Sequence, residues 1–415
     1  MEQQLYELPE GWEWNNLGDV LDVRDGTHDS PKYQQTGYPL VTSKNLTATG
    51  LDMGNVKYIS HEDFRHISKR SGVDKGDILF AMIGTIGNPI IIEKEPDFAI
   101  KNVALFKPRD ISQCMEYFRY FLLSPDAIER MMSSSKGAAQ KFVGLGVLRG
   151  FNIPHPPLNE QKRIVAKLDA LFTRIDTAVN HLQQTLKLSK ALFASELDSS
   201  LVPTGDIENP LKTWSCQTLA TVSNLVSDGT HHSPKEQFDQ KQDGLFKYIT
   251  SKNIKFGGMK LENITYIRKD VHDEIYARCN PEYLDQLITK DGAMTGTCCL
   301  NLLDEEFSLL SSVALVKLKR ELMIPYFLNY FLQSPTGQEL MIGDISGAAI
   351  TRTNLRKLKA IKIPVPPIEE QQNIVTHLDA LAERTLALGA ATQEKLNDLT
   401  TLKASLLDAA FKGQL

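Results

Sequence analysis

Cysteine is scarce in this chain. Its 415 residues include 5 cysteines, an odd number with no C-x-x-C pair among them. This usage argues against a disulfide framework and against a zinc knuckle. His28, His231 and His232 have no second ligand at zinc spacing in the sequence. We therefore expect buried thiols, and neither a metal site nor a cofactor.

Long apolar runs are also missing. No segment approaches the roughly 20 apolar residues that a membrane-spanning helix needs. The opening MEQQLYE has neither the cationic start nor the apolar stretch of a signal peptide. We expect a cytoplasmic protein with no membrane partner.

Positive charge is not in excess. Lysine and arginine number 46 against 51 aspartate and glutamate residues, so the formal net charge is −5. Composition alone therefore does not point to nucleic acid. With 42% hydrophobic and 23% charged residues the chain is an ordinary globular protein, which excludes collagen-like and largely disordered classes.

Motifs typical of catalytic sites are also absent from the sequence. The sequence has no G-x-x-x-x-G-K-[ST] phosphate loop. Residues 280–283 (NPEY) resemble the Asn-Pro-Pro-Tyr signature of amino-methyltransferases, but Glu282 replaces a proline and no cofactor loop accompanies it. We interpret this segment as a turn and predict that the chain is not itself an enzyme.

What the chain does contain is a long internal repeat. Segments of the first half return in the same order about 200 residues later, which indicates a tandem duplication rather than a solenoid. The matched segments are 25–32 (DGTHDSPK) with 228–235 (DGTHHSPK), 42–46 (TSKNL) with 250–254 (TSKNI), 81–85 (AMIGT) with 293–297 (AMTGT), 120–125 (YFLLSP) with 330–335 (YFLQSP), and 153–161 (IPHPPLNEQ) with 363–371 (IPVPPIEEQ).

Each copy changes character once, at its double proline. Before that point, short β-branched runs alternate with Asp-Gly and Ser-Pro turn signals, which is typical of a mixed α+β globule of about 150 residues. After it, a stretch without proline predicts a long helix. We divide the chain into two globular domains, 1–157 and 206–367, each followed by a helical spacer, 158–205 and 368–415.

Apolar residues recur along both predicted helices at spacings of four and three. Such a stripe can simply pack on its own domain. A helix of about 40 residues, however, is about 60 Å long, more than one such globule covers, so we favour an antiparallel coiled coil between the two duplicates, related by a pseudo-two-fold axis. The predicted interface residues are Ile164, Leu168, Leu171, Ile175, Leu182, Ile374, Leu378, Leu381 and Leu388.

Several of these features occur together in one known family. The LPEGW opening, the two divergent globular copies, and the PPLNEQ and PPIEEQ entries into IVxxLDAL resemble the specificity subunit of type I restriction-modification enzymes over essentially the whole chain. The resemblance implies two target recognition domains that each read half of an interrupted double-stranded DNA sequence. It also implies docking of methyltransferase (modification) subunits and, through the complex, of restriction (motor-nuclease) subunits. Adenine methylation and ATP-dependent cleavage would belong to that complex.

Two repeated segments supply candidate DNA contacts. The DGTHxSPK loop offers a hydroxyl, an imidazole and a lysine, while TSKN offers an amide suited to adenine and a lysine suited to phosphate or guanine. Simple turn formation is the competing interpretation of both. The candidate residues are Thr27, His28, Lys32, Ser43, Lys44 and Asn45 in the first copy, and Thr230, His231, Lys235, Ser251, Lys252 and Asn253 in the second.

The acidic net charge predicts weak DNA binding by this chain alone, because affinity for DNA is built largely from phosphate neutralisation. Two alternatives remain open at this stage. A scaffold whose duplicated heads bind proteins across a coiled-coil rod would fit the same pattern and the same charge. The other alternative is a fused or stand-alone enzyme, which the missing cofactor motifs disfavour.

Overall fold

The computed structural model describes residues 6–133, 142–343 and 352–415. The chain forms two units, unit 1 with Met1–Leu182 and Gln393–Leu415, and unit 2 with Gln183–Thr392. Within the described ranges, none of the helices is both long and apolar enough to cross a membrane.

Unit 1 is a mixed α+β structure. Its strands are β1 (Glu13–Asn16), β2 (Leu21–Asp25), β3 (Tyr38–Thr42), β4 (Leu46–Thr47), β5 (Gly50–Leu51), β6 (Lys57–Ile59), β7 (Ile78–Ala81), β8 (Gly87–Ile91), β9 (Ala99–Lys101), β10 (Val103–Pro108) and β11 (Asn152–His155). Its shorter helices are α1 (Leu17–Val20), α2 (His61–Ser71), α3 (Met115–Leu123), α4 (Pro125–Ser133) and α5 (Leu145–Arg149).

Unit 2 repeats this arrangement. Its strands are β12 (Ser215–Thr218), β13 (Ser223–Asp228), β14 (Leu245–Ile249), β15 (Ile254–Lys255), β16 (Gly258–Met259), β17 (Thr265–Arg268), β18 (Gln286–Thr289), β19 (Cys298–Leu300), β20 (Phe307–Leu309), β21 (Val313–Leu318) and β22 (Lys362–Val365). Its shorter helices are α7 (Lys269–Arg278), α8 (Pro325–Gln333), α9 (Pro335–Ile342) and α10 (Leu355–Ala360). Two long helices, α6 (Leu158–Leu201) and α11 (Ile368–Phe411), contribute to both units.

The sheets of the two units have the same topology. Unit 1 has a four-stranded sheet of order β2-β10-β7-β8 and a three-stranded sheet of order β6-β3-β9, with β1-β11 and β4-β5 as two-stranded pairs. Unit 2 has β13-β21-β18-β19, β17-β14-β20, β12-β22 and β15-β16 in the same roles. The shared strand order confirms the predicted α+β class and the duplication.

Buried apolar strands and an aromatic helix form the main core of unit 1. Strand β7 reads ILFA and is buried at every position, because its sheet is covered on both faces. Phe118 and Phe121 of α3 are fully buried in the same cluster as Phe80 and Phe106. Burial of each such ring stabilises the folded state by about 1.5–3 kcal/mol, because its apolar surface is removed from water.

The strand register corrects one of the matched segments. Ala81 pairs with Val103 in unit 1, and Thr289 pairs with Val313 in unit 2. The structural counterpart of Ala81 is therefore Thr289, so the alignment of 81–85 with 293–297 was wrong. Both segments contain turns that need a glycine at positive φ, and this shared turn chemistry produced the misleading similarity.

The long helices pair with opposite chain directions inside each unit. In unit 1, Lys403 of α11 forms an ion pair with Asp176 of α6 and donates to its Oδ1, and Arg163 donates to the backbone oxygen of Leu415 at 2.7 Å. In unit 2, His377 of α11 lies 3.1 Å from the Glu196 carboxylate of α6. The predicted antiparallel pairing of the two helices is therefore present.

The predicted interface residues differ in burial. Ile164, Leu168 and Ile175 are buried, the first two in the main core of unit 1, which also contains Phe411 of α11. Leu378 is fully buried in the core of unit 2. The half-buried members are Leu171, Leu182, Ile374 and Leu381.

Leu388 is 45% exposed, so its place in the helix pair remains a prediction. Ile164 and Leu168 pack against their own globule and share a cluster with α11. The apolar stripe of α6 therefore packs both on its own domain and on the other long helix, which are the two alternatives considered from the sequence.

Candidate functional site

The repeated Asp-Gly-Thr-His segment begins with a buried carboxylate in each unit. Asp25 ends β2 and Asp228 ends β13, and they are 4% and 3% exposed. The glycine that follows lies against another strand, since a Cβ on Gly26 would meet the Ile100 oxygen at 2.3 Å and one on Gly229 the Leu309 oxygen at 1.8 Å. The glycine of the motif is therefore needed because a neighbouring strand packs closely against it, and not only because Asp-Gly forms turns.

In unit 1, the Asp25 carboxylate collects two side chains from separate parts of the chain. Its Oδ1 accepts from Nη2 of Arg70, in the last turn of α2, and its Oδ2 lies 3.0 Å from Nε2 of His28. The other ring nitrogen of His28 lies 2.9 Å from Oδ1 of Asn102. A continuous chain of polar contacts thus runs from Arg70 to Asn102.

In unit 2, the equivalent Asp228 carboxylate holds an arginine from the equivalent helix. Arg278, at the end of α7, donates Nη2 to Oδ1 at 2.9 Å, and the same Nη2 lies 3.1 Å from Nε2 of His231. A buried lysine, Lys290, donates to Oδ2 at 2.6 Å. The counterpart of Lys290 in unit 1 is Met82. This equivalence follows from the backbone hydrogen bonds, since the backbone oxygens of Met82 and Lys290 accept from an N–H at the same place in each repeat.

These two arginines were not among the sequence candidates. They lie 45 and 50 residues along the chain from their aspartate partners, and no local motif marks them. Their side chains are 63% exposed for Arg70 and 53% exposed for Arg278, although each is held by a buried carboxylate. A repeat-aware search for arginines at matched helix ends would have found the pair.

A cleft of about 630 Å³ in unit 1, here called the unit 1 cleft, collects several of the predicted residues. Its polar lining residues are Tyr33, Thr42, Ser43, Lys44, Asn45, Asn55, Lys57, Thr85 and Asn102. Ser43 donates its hydroxyl to the backbone oxygen of Asn102 at 2.8 Å. The structure therefore links the TSKN segment with His28 through Asn102.

Exposed cationic and aromatic groups border the unit 1 cleft. Lys44 is exposed, and Lys57 lies over the ring of Tyr33 with 4.2 Å between its Nζ and the ring centroid. Tyr33 is itself 45% exposed. Lysines of this kind suit phosphate oxygens, and an exposed aromatic ring suits stacking.

The amides of Asn45 and Asn253 already have partners. The Oδ1 of Asn45 accepts from the Thr42 backbone N–H at 2.9 Å, and its Nδ2 donates to the Asp52 oxygen at 3.0 Å. Asn253 makes the same bonds in unit 2. Both residues are buried, so an adenine contact would first have to break these bonds. The geometry favours the turn-forming interpretation of these two amides, and their contact with DNA stays a prediction.

The hydroxyls of Thr27 and Thr230 also stabilise local turns. Thr27 accepts from the Asp29 backbone N–H at 3.2 Å, and Thr230 from that of His232 at 3.3 Å. The remaining predicted residues keep more of their surface open. Lys32, Lys235 and Lys252 are exposed, while Ser251 is half-buried.

Nothing in the described ranges forms a cluster of three or more His, Cys, Asp or Glu side chains suited to a metal ion. Cys114, Cys279, Cys298 and Cys299 are buried, as expected, whereas Cys216 is only half-buried. Burial raises the pKa of the Cys279 thiol to about 11, so it stays protonated and unreactive near neutral pH. The NPEY segment is a turn, in which the Glu282 N–H donates to Asp285 at 2.8 Å.

Comparison with known proteins points in one direction. A family model described as the type I restriction modification DNA specificity domain matches residues 9–188 and again residues 212–398. The type I restriction enzyme EcoBI specificity subunit of Escherichia coli is 24% identical over 355 residues, which cover 82% of this chain and 73% of that protein.

Two solved structures share the fold. One belongs to a structural study of complex assembly and conformational transition of the type I R-M system, with a TM-score of 0.74, 21% identity, and coverage of 99% of this chain and 100% of that chain. The other is the HsdS subunit from Thermoanaerobacter tengcongensis, with a TM-score of 0.56, 20% identity, and full coverage of both chains.

Proposed function

The chain belongs to the type I restriction-modification DNA specificity family, and from that premise we propose that its two target recognition domains each read one half of an interrupted double-stranded DNA site. The observation that carries this proposal is the repeated cluster of a buried aspartate, a histidine and a half-exposed arginine at the same place in both units. Two equivalent clusters suit two half-sites read by the same chemistry.

The proposed contacts are those predicted from the sequence. In unit 1, Lys44 lines the unit 1 cleft, His28 contacts Asn102 of that cleft, and Lys32 is exposed. In unit 2, His231, Lys235 and Lys252 occupy the corresponding positions of the repeat. Lysines fix register on the phosphates, while groups that reach base edges specify sequence.

The chain acts in recognition, as its family generally does, and does not itself catalyse a reaction. We propose that methyltransferase subunits dock on it and that restriction subunits join through the complex, which would carry the adenine methylation and the ATP-dependent cleavage. The division into recognition domains 1–157 and 206–367 with helical spacers 158–205 and 368–415 is part of this proposal. The family assignment does not favour the protein-binding scaffold considered from the sequence.

Genome-wide mapping of methylated adenines tests the proposal. The chain is coexpressed with its methyltransferase subunits in a host that lacks other adenine methylation. We expect one motif made of two specific half-sites separated by a gap of constant length. Omission of the specificity chain is the control and should abolish the motif. A single continuous motif, or methylation without sequence preference, would contradict the proposal.

A further inference from the structure

We propose that Arg70 and Arg278 are specificity-determining residues that each contact a guanine in the half-site read by their own unit. This inference rests on the proposed function and names a contact within it. Arginine presents a planar fork of donors that matches the O6 and N7 acceptors of guanine in the major groove.

The first argument is the way both guanidinium groups are held. Each donates from Nη2 to Oδ1 of a nearly fully buried aspartate at the end of a strand, Asp25 for Arg70 and Asp228 for Arg278. Nη2 is also the nitrogen of Arg278 that faces His231. One corner of the fork is thereby fixed in both units, while over half of each side chain stays open to solvent.

The second argument is charge. The Asp25 carboxylate cancels the charge of Arg70, so the pair adds little to the attraction of phosphates, which is a matter of net positive charge. The carboxylate does orient the guanidinium, and orientation is what base reading requires. A phosphate contact alone would be served by an exposed lysine, and the chain has these at Lys44 and Lys32.

The third argument is position. From Arg70 the polar contacts run through Asp25 and His28 to Asn102, and Asn102 lines the unit 1 cleft. The arginine therefore belongs to the same surface as the predicted lysine contacts. At the opposite end of β2, Arg109 donates to the Gly18 backbone oxygen at 2.7 Å and does not line this cleft.

The test uses the complete methyltransferase complex and substitutions to lysine. Arg70→Lys keeps a cation for Asp25 but removes the fork, so folding is preserved while base reading is lost. Methylation rates are measured on duplexes that carry each single base-pair change in either half-site. We expect Arg70→Lys to reduce discrimination at one G·C pair of one half-site by about tenfold or more, with the other half-site unchanged.

Arg278→Lys should produce the mirror result, with the loss confined to a G·C pair of the other half-site. Arg109→Lys is the matched control and should leave discrimination at both half-sites as in the wild type. The melting temperature of each variant separates loss of reading from loss of folding.

Asp25 is a positioning residue in this scheme. Asp25→Asn should relax the same base pair as Arg70→Lys, and the double variant should relax it no further, because both changes remove one contact. Additive losses at several base pairs would indicate a general structural role.

Three results would overturn the inference. One is unchanged discrimination in folded Arg70→Lys and Arg278→Lys complexes. Another is an equal loss at every base pair with a weaker salt dependence, which is the behaviour of a phosphate contact. The third is relaxation at a position that is not G·C. In each case a wild-type complex that still methylates a bipartite site would leave the proposed function standing, whereas a wild type without such a site would refute the proposed function itself.

Discussion

Single residues show how the same motif was adapted in the two copies. Asp228 is shared between Arg278 and the buried Lys290, whereas Asp25 is shared between Arg70 and His28. Met82 occupies the place of Lys290 in unit 1. A buried carboxylate must have partners. The arginine comes from the equivalent helix end in both copies, whereas the partner of the second carboxylate oxygen is His28 in unit 1 and Lys290 in unit 2.

A histidine in unit 2 predicts a pH dependence of stability. His272 stacks on Phe246 with 3.8 Å between ring centroids and lies 2.9 Å from the Ser308 hydroxyl. Burial lowers the pKa of His272, against the opposing influence of Glu306, so the folded state favours the neutral ring. This contribution to stability is present above the unfolded pKa of about 6.5 and is lost as the pH falls below it.

We therefore expect the free energy of unfolding of the wild type to fall between pH 7.5 and pH 5 more steeply than that of His272→Gln. Denaturant titrations at several pH values measure the difference. The exposed His232 provides the control substitution, His232→Gln, which should keep the wild-type slope. Parallel slopes for wild type and His272→Gln would refute the expectation.

At the level of whole elements, the double prolines and the apolar spacing together define the long helices. Both α6 and α11 begin directly after Pro157 and Pro367 and are 44 residues long. Gln161 and Gln371 each donate to the backbone oxygen of a preceding proline at 2.9 Å, which fixes the entry of the chain into the helix. The repeated PPxxEQ sequence is thus a structural signature.

The packing of α11 predicts that two leucine substitutions lower the free energy of unfolding by different amounts. Leu378→Ala removes a fully buried side chain from the core of unit 2 and should lower the free energy of unfolding by about 2–5 kcal/mol. Leu386→Ala removes a side chain that is 74% exposed within the same unit and should change it by less than about 0.5 kcal/mol. Urea unfolding of both variants checks this, and equal effects would contradict the core position of Leu378.

For the molecule as a whole, charge and duplication are the decisive properties. A formal net charge of −5 leaves little electrostatic attraction for DNA, whereas the duplicated clusters are the donors that we propose for sequence reading. Discrimination between bases needs only a few such contacts, each worth about 1–3 kcal/mol. We therefore expect affinity for DNA to come mainly from the methyltransferase subunits that we propose dock on the chain.

Gel-shift titrations test whether this chain supplies base discrimination while the other subunits supply most of the affinity for DNA. The chain alone should bind a cognate duplex weakly and with little preference over a scrambled duplex. Addition of methyltransferase subunits should tighten binding and restore the preference, because we expect those subunits to supply the phosphate contacts that this chain lacks. Tight and selective binding by the isolated chain at about 150 mM salt would show that the chain supplies the phosphate contacts itself.

The linear order of residues was enough to establish the duplication, the α+β class and the two long helices, because repeats, turn signals and apolar periodicity are local patterns. It could not establish that Arg70 meets Asp25, that Asn45 is buried or that Thr289 replaces Ala81, since these depend on strand register and on contacts between distant segments. Only the folded chain brings such residues together. A buried carboxylate needs a partner that is close in space, and spacing along the chain does not determine which residue that is.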